Sequence, residues 1–151
     1  FRRLLLHQRC QLGPDAGREH DAIFANHWFR PDCLRFDLIN MCSIASVLAG
    51  GGGSAYTASK HALAGFTKQL ALDYADQGIQ VFGIAPGAVQ TAMTQADFED
   101  GGLADWVAQE TPIKRWLQPQ EIAEMTLFLA SGKMQAMQGQ IIQMDGGWGL
   151  K

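Results

Sequence analysis

From residue 36 onward the hydrophobic and polar positions change period in a regular succession. The short run Leu38, Ile39, Met41 is apolar and reads as a strand. Residues 55–75 carry Ala58, Ala62, Leu63, Phe66, Leu70 and Tyr74 at intervals of three and four, which is the spacing of a helical face. Ser54 stands where an N-cap would, and Gly78 lies just past the end of the pattern. Residues 79–85 are mostly apolar, as expected of a parallel strand buried on both faces. Pro119 opens a second helical stretch over residues 121–130, with Ile122, Met125, Phe128 and Leu129 inward and Gly132 at its stop. Residues 140–144 form a short closing strand. Strand, helix, strand, helix, strand is the succession of an α/β protein and makes half of a doubly wound parallel sheet.

Before residue 36 no helical or alternating period is sustained. Six of the seven Arg lie in residues 1–36, with three of the four His and two of the three Cys, whereas none of the five Lys does. Two readings of this Arg/His/Cys-rich segment stay open. One is out-of-frame translation of the same coding sequence, with the frame resuming near residues 36–38. The other is a short, divergent native extension. Residues 37–151 form the second unit.

Composition narrows the function classes. With 47% hydrophobic and 18% charged residues, the 151-residue chain is of globular type. A net charge of −3 gives no electrostatic case for nucleic acid or an anionic membrane. No segment reaches the roughly 20 apolar residues needed to span a bilayer, and the start, Phe1-Arg-Arg-Leu-Leu-Leu-His, is too short in leucines for a signal sequence. Cys10, Cys33 and Cys42 are odd in number and lack C-x-x-C spacing, which argues against a disulfide framework or a zinc site, so no metal is expected. A cytoplasmic location is expected by default.

The chemistry concentrates between residues 43 and 60. Tyr56 and Lys60 are four apart, so on a helix they share a face. Ser43 lies thirteen residues upstream of Tyr56, just beyond the first strand. A free tyrosine titrates near pH 10, and an ammonium about 4 Å away favours phenolate by roughly 4 kcal/mol at an effective dielectric near 20. Tyr56 is therefore the candidate acid/base and Lys60 the group that tunes it. Ser43 is the candidate donor to a substrate oxygen on which charge develops.

These residues, followed by Gly78-Ile-Gln-Val-Phe-Gly-Ile-Ala-Pro-Gly87, Ala88-Val-Gln-Thr91-Ala-Met-Thr94 and Gly139-Gln-Ile-Ile-Gln-Met-Asp-Gly-Gly147, resemble the short-chain dehydrogenase/reductase family over residues 38–151. The 3-oxoacyl-[acyl-carrier-protein] reductase-like members are nearest in flavour. The resemblance implies hydride transfer between NAD or NADP and a small carbonyl or alcohol substrate, with Ser43, Tyr56 and Lys60 catalytic. It places Pro86 and Gly87 at the strand exit beside the nicotinamide, has the Val89 backbone and Thr91 hydroxyl hold the carboxamide, and lets Tyr56 and Lys60 reach the cofactor. It also implies a homo-oligomer of the intact enzyme, with the helix near Tyr56 packed on a neighbouring subunit.

The family's opening Gly-rich turn, its Asn-Asn-Ala-Gly strand and the helix with a catalytic Asn do not precede Ser43. The N-terminal dinucleotide-binding half is missing, and with it the residues that select NAD or NADP. Glycines 50–53 follow the Ser43 strand and read as a flexible loop beside the substrate. The chain alone is expected to bind cofactor weakly and, with an open sheet edge, to associate or aggregate. It is either the fragment of an oxidoreductase or a non-catalytic product, whether a decayed fragment or an association partner of a full-length homologue.

Residues 91–115 are the segment expected to choose substrate, either as a lid or as a surface helix packing its aromatics. Phe98, Leu103, Trp106 and Val107 make its apolar face, and Gly101 and Gly102 its hinge. Trp116 and Trp148 line the same cleft or simply pack. His61 points about 100° off the Tyr56–Lys60 face and is expected to be exposed or at an interface.

Overall fold

The computed structural model describes residues 36–50 and 52–150. The expectations for residues 1–35 lie outside the described residues. Three parallel strands, β1 (Phe36–Met41), β2 (Ile79–Pro86) and β3 (Ile141–Met144), form one sheet in the order β1-β2-β3. Phe36 faces Ile79 in the register of the first pair and Gly83 faces Ile141 in the second. Helix α1 (Gly53–Tyr74) covers one face, α3 (Pro119–Ala130) the other, and the short α2 (Ala104–Glu110) lies in the excursion between β2 and α3.

The middle strand explains why the apolar run of β2 is nearly continuous. Phe82 and Ile84 point to the α3 side, where they join Ile122 and Leu129. Ala85 points to the α1 side with Cys42 and Ala64, and Gly83 lies so close to Cys42 and Ile141 that any larger residue would collide with them. With both faces covered there is no polar alternation left to read.

Two corrections concern α1. Its N-cap is Gly52, at φ 98°, and the helix is already under way at Ser54, whose side chain makes no cap. Glycine at positive φ lets the chain turn directly into the helix, so a serine cap has no position to fill. The buried stripe is also not the one that the larger apolar residues mark. Ala64, Thr67 and Ala71 are buried, while Phe66 and Tyr74 stay 42% and 39% exposed. Small side chains let the helix approach the sheet closely, and Asn40 of β1 donates to the Thr67 hydroxyl at 2.9 Å across that gap. In α3, Ile122 and Leu129 are buried as expected and Phe128 is not, at 46% exposed.

Before β3 begins, the free edge of β2 is closed by Gln138. Its carbonyl oxygen accepts from Val81 N at 3.0 Å, and its amide donates to Ile79 O at 2.8 Å and Ala71 O at 3.0 Å. One side chain thus joins β2, the last turns of α1 and the approach to β3, satisfying backbone groups that are costly to leave unpaired.

Candidate active site

The site is assembled at the C-terminal end of β1. Cys42 N donates to Ile84 O at 2.7 Å, which pins the strand exit to β2. Ser43 follows in extended conformation and caps a single 3-10 turn, Ile44–Ser46. Its oxygen accepts from Ala45 N at 3.1 Å, while Ser46 Oγ accepts from Ser43 N at 3.2 Å. These bonds fix the side chain in a nine-tenths buried position. A hydroxyl has one proton to give and this one is used only as an acceptor, so it is free to donate outward.

Lys60 ties the helix to this strand end. Its ammonium donates to Met41 O at 2.9 Å and lies 5.6 Å from the centroid of the Tyr56 ring. The charge is therefore held on the ring side by a carbonyl two residues before Ser43. It makes no hydrogen bond to the phenol oxygen among the described residues, whereas the one-turn spacing placed an ammonium about 4 Å from it. Tyr56 is 40% exposed, and its hydroxyl has no hydrogen-bond partner among the described residues.

The glycine loop has a specific task here. A Cβ on Gly52 would stand 2.9 Å from Tyr56 Cδ1, at a φ of 98°. Glycine at that position is what lets the ring lie down there, so Gly52 is a seat for Tyr56, while Gly50 and Gly53 have open space around them. His61 is exposed, with Nδ1 3.0 Å from Thr57 O, and takes no part.

At the neighbouring strand end, Gly87 N donates to Met144 O at 2.9 Å, and a Cβ on Gly87 would come within 2.8 Å of Asp145 Cα. Pro86 and Gly87 therefore pack directly on the start of the C-terminal turn. Val89 forms a parallel bridge with Leu117. Its carbonyl accepts from Thr94 Oγ1 at 3.0 Å, leaving its N–H without a partner among the described residues. Thr91 is exposed and begins a 3-10 stretch, Ala92–Phe98.

The segment after Thr91 mixes both expected behaviours. Phe98 packs at a tilt against Trp116, with ring centroids 4.8 Å apart, and the buried Trp116 donates its indole N–H to Ala104 O at 2.9 Å. Trp116 is thus a packing residue beneath α2. Trp106 remains 54% exposed and meets Trp148 edge-on at 6.1 Å. Gly101, at φ 83°, has open space around it, whereas a Cβ on Gly102 would collide with the Asp97 carbonyl. The second glycine is a packing requirement and not a hinge.

Of three further features, only the second has a sequence signal. Arg115 forms a two-pronged pair with Glu121, both distances 2.8 Å. Asp145 accepts from Gly147 N and Gly149 N, each at 2.8 Å, a turn that Asp-Gly-Gly foreshadows. Gln138 carries no motif at all.

The Arg115 guanidinium, with help from the Gln118 N–H, lowers the Glu121 carboxyl to about 2. A carboxyl depressed by folding adds stability above its unfolded pKa and loses it as the pH falls through the folded one. The contribution of this pair is present at neutral pH and disappears between about 4.5 and about 2. Glu121→Gln should lower the melting temperature at pH 7 but not at pH 2, so the two stability curves converge in acid. Parallel curves would remove the pair from the stability of the fold.

A three-stranded parallel sheet covered on both faces, with Lys60 beside the Tyr56 ring and anchored to the end of β1, is part of a Rossmann-type fold. The family model described as Enoyl-(Acyl carrier protein) reductase matches residues 35–149, and the chain belongs to the short-chain dehydrogenase/reductase family. Gluconate 5-dehydrogenase of Gluconobacter oxydans is 38% identical over 113 residues, covering 75% of this chain and 44% of that protein. The 5-keto-D-gluconate 5-reductase of Escherichia coli is 38% identical over 110 residues, covering 73% and 43%. Among solved structures, a gluconate 5-dehydrogenase from Burkholderia cenocepacia in complex with NADP and tartrate superposes with a TM-score of 0.73 at 36% identity, covering 78% of this chain and 46% of that one. A 4-hydroxyisoleucine dehydrogenase complexed with NADH gives 0.72 at 32% identity, covering 76% and 47%. The chain thus spans somewhat less than half the length of the relatives it matches, and these are NAD(P)-dependent dehydrogenases and reductases.

Proposed function

We propose that this chain is the catalytic C-terminal half of an NAD(P)-dependent reductase that interconverts a ketone and a secondary alcohol. The observation that carries the reading is the Lys60 ammonium. It is bonded to Met41 O and lies over the Tyr56 ring, so the helix bearing Tyr56 is locked to the strand exit bearing Ser43. In the reduction direction Ser43 donates a hydrogen bond to the carbonyl oxygen and Tyr56 delivers the proton to it. In oxidation Tyr56 takes the proton back. When bound, the dinucleotide supplies or accepts the hydride. Donors for its nicotinamide end are present in Lys60, the free Val89 N–H and Thr91, beside the Pro86–Gly87 exit. No Gly-rich turn between a first strand and its helix is found among the described residues to receive the pyrophosphate, so tight cofactor binding requires the half that the relatives carry.

The test is a chimera in which residues 36–150 replace the corresponding part of the Gluconobacter enzyme. Ketone-dependent oxidation of NADH or NADPH is the expected result. A folded chimera that turns over no ketone in a broad panel would end the catalytic reading.

A second reading, a non-catalytic associating subunit, draws on the apolar exposure of Leu38 and Met41 on β1 and of Phe66, Leu72 and Tyr74 on α1. Cofactor-independent co-purification with a full-length homologue, without turnover, would favour it.

A further inference from the structure

Just beyond Ser43, the residues Ile44, Ala45, Leu48, Ala49, Gly50 and Trp148 line a hollow of about 140 Å³. Its two walls have separate origins in the chain. The first is the turn capped by Ser43, which continues with Leu48 N donating to Ile44 O at 2.9 Å and so sets Ile44 and Leu48 one turn apart. The second is Trp148, bracketed by Gly147 and Gly149, whose N–H groups are both held by the Asp145 carboxylate. The walls meet where a Cβ on Gly149 would lie 3.4 Å from Leu48 Cδ1, and Trp106 backs the indole edge-on.

No residue of this lining is charged or carries a hydrogen-bonding side chain other than the indole N–H. Nearby cations are engaged elsewhere. Lys60 is on Met41 O, Lys114 on Gln109 O, and Arg115 on Glu121. A carboxylate placed in this hollow would meet no cation and at most one side-chain donor, the indole N–H, which is too little to offset its loss of hydration. Apolar carbon has no such difficulty. A cavity of about 150 Å³ with aliphatic and aromatic walls takes up benzene, so a hollow of about 140 Å³ is sized for one six-membered ring or a branched alkyl group of similar bulk.

The geometry points to a subsite for a neutral, apolar, ring-sized group attached to the carbon whose oxygen Ser43 holds. The substrate class is a cycloalkyl, aryl or branched alkyl ketone, or the matching alcohol, and not a sugar acid of the kind for which the gluconate enzymes are named. The assignment rests on reading Ser43 as the carbonyl holder, and it makes Leu48 and Trp148 the specificity-determining residues.

The probes are 1-phenylethanol and gluconate, titrated separately into the full 151-residue chain while the Trp148 indole N–H is followed by NMR. Saturable movement of that resonance with 1-phenylethanol and none with gluconate is expected. Leu48→Asp, at a half-buried position, should weaken 1-phenylethanol by at least about tenfold in a variant whose NMR spectrum shows it folded. Trp148→Ala, read on the ligand's own signals by saturation transfer, should do the same. Movement with gluconate, no movement with 1-phenylethanol, or unchanged affinity in both variants overturns the subsite. The outcome separates from that of the chimera. Turnover without a Trp148 response removes the subsite and leaves the reductase, and a Trp148 response without turnover removes the reductase and leaves only an apolar binding hollow beside Ser43.

Discussion

Tyr56→Phe in the active chimera will lower kcat by about 10²–10⁴-fold and leave KM for the ketone nearly unchanged. That range is what a positioned general acid contributes to a proton-transfer step. The substitution takes away only the phenol oxygen. The ring keeps its place over Gly52, and the Lys60 ammonium keeps its carbonyl anchor on Met41. The hydroxyl has no hydrogen-bond partner among the described residues and the side chain is 40% exposed, so its loss leaves no buried group unsatisfied. Stability should therefore be that of the parent, and the effect should fall on kcat alone, the pattern of an interaction made in the transition state. Steady-state kinetics and a thermal melt on the same preparation decide it. Wild-type kcat would take Tyr56 out of proton transfer, and a large drop in melting temperature would recast it as a structural residue.

The parts of this molecule that were legible in its sequence are those where one physical cause dominates. Residues 79–85 read as a buried strand because both faces of β2 are covered and every position but Gln80 is apolar or small. Tyr56 and Lys60 read as neighbours because four residues on a helix fix their separation whatever the surroundings. Gly78 and Gly132, at φ 73° and 81°, mark helix ends that only glycine makes cheaply.

The misreadings share a different cause. In α1 the large apolar residues suggested a face, but close packing on the sheet selects small ones, Ala64, Thr67 and Ala71. Phe66 and Tyr74 are left outward, 42% and 39% exposed. Gly102 was taken as a hinge because composition cannot tell a freely turning glycine from one wedged against a carbonyl. The seat that Gly52 makes for Tyr56, and the bridge that Gln138 makes across β2, depend on segments brought together only by the finished fold. No local period announces them.

Phe82→Ala will cost about 3–5 kcal/mol, the usual range for removing a buried phenyl ring, and this is the largest stability loss expected of any single truncation in the described core. Phe82 is fully buried on the central strand and is the largest of the wholly enclosed side chains. It packs in one cluster with Ile84, Ile122 and Leu129. The sheet fixes the strand on both sides, so the surroundings cannot easily close on the void. Against a typical domain stability of about 5–15 kcal/mol, the loss is a large fraction of the whole. Leu127→Ala on the outer side of α3, 72% exposed, should by contrast stay within about 0.5 kcal/mol. Urea unfolding of the chimera measures both. Because Phe82 faces α3 and the Ser43, Tyr56 and Lys60 set is built between β1 and α1, the variant should retain its kcat at temperatures where it remains folded. A fall in kcat parallel to the fall in stability would mean that the two faces of the sheet are coupled and that the site depends on the α3 core for its geometry.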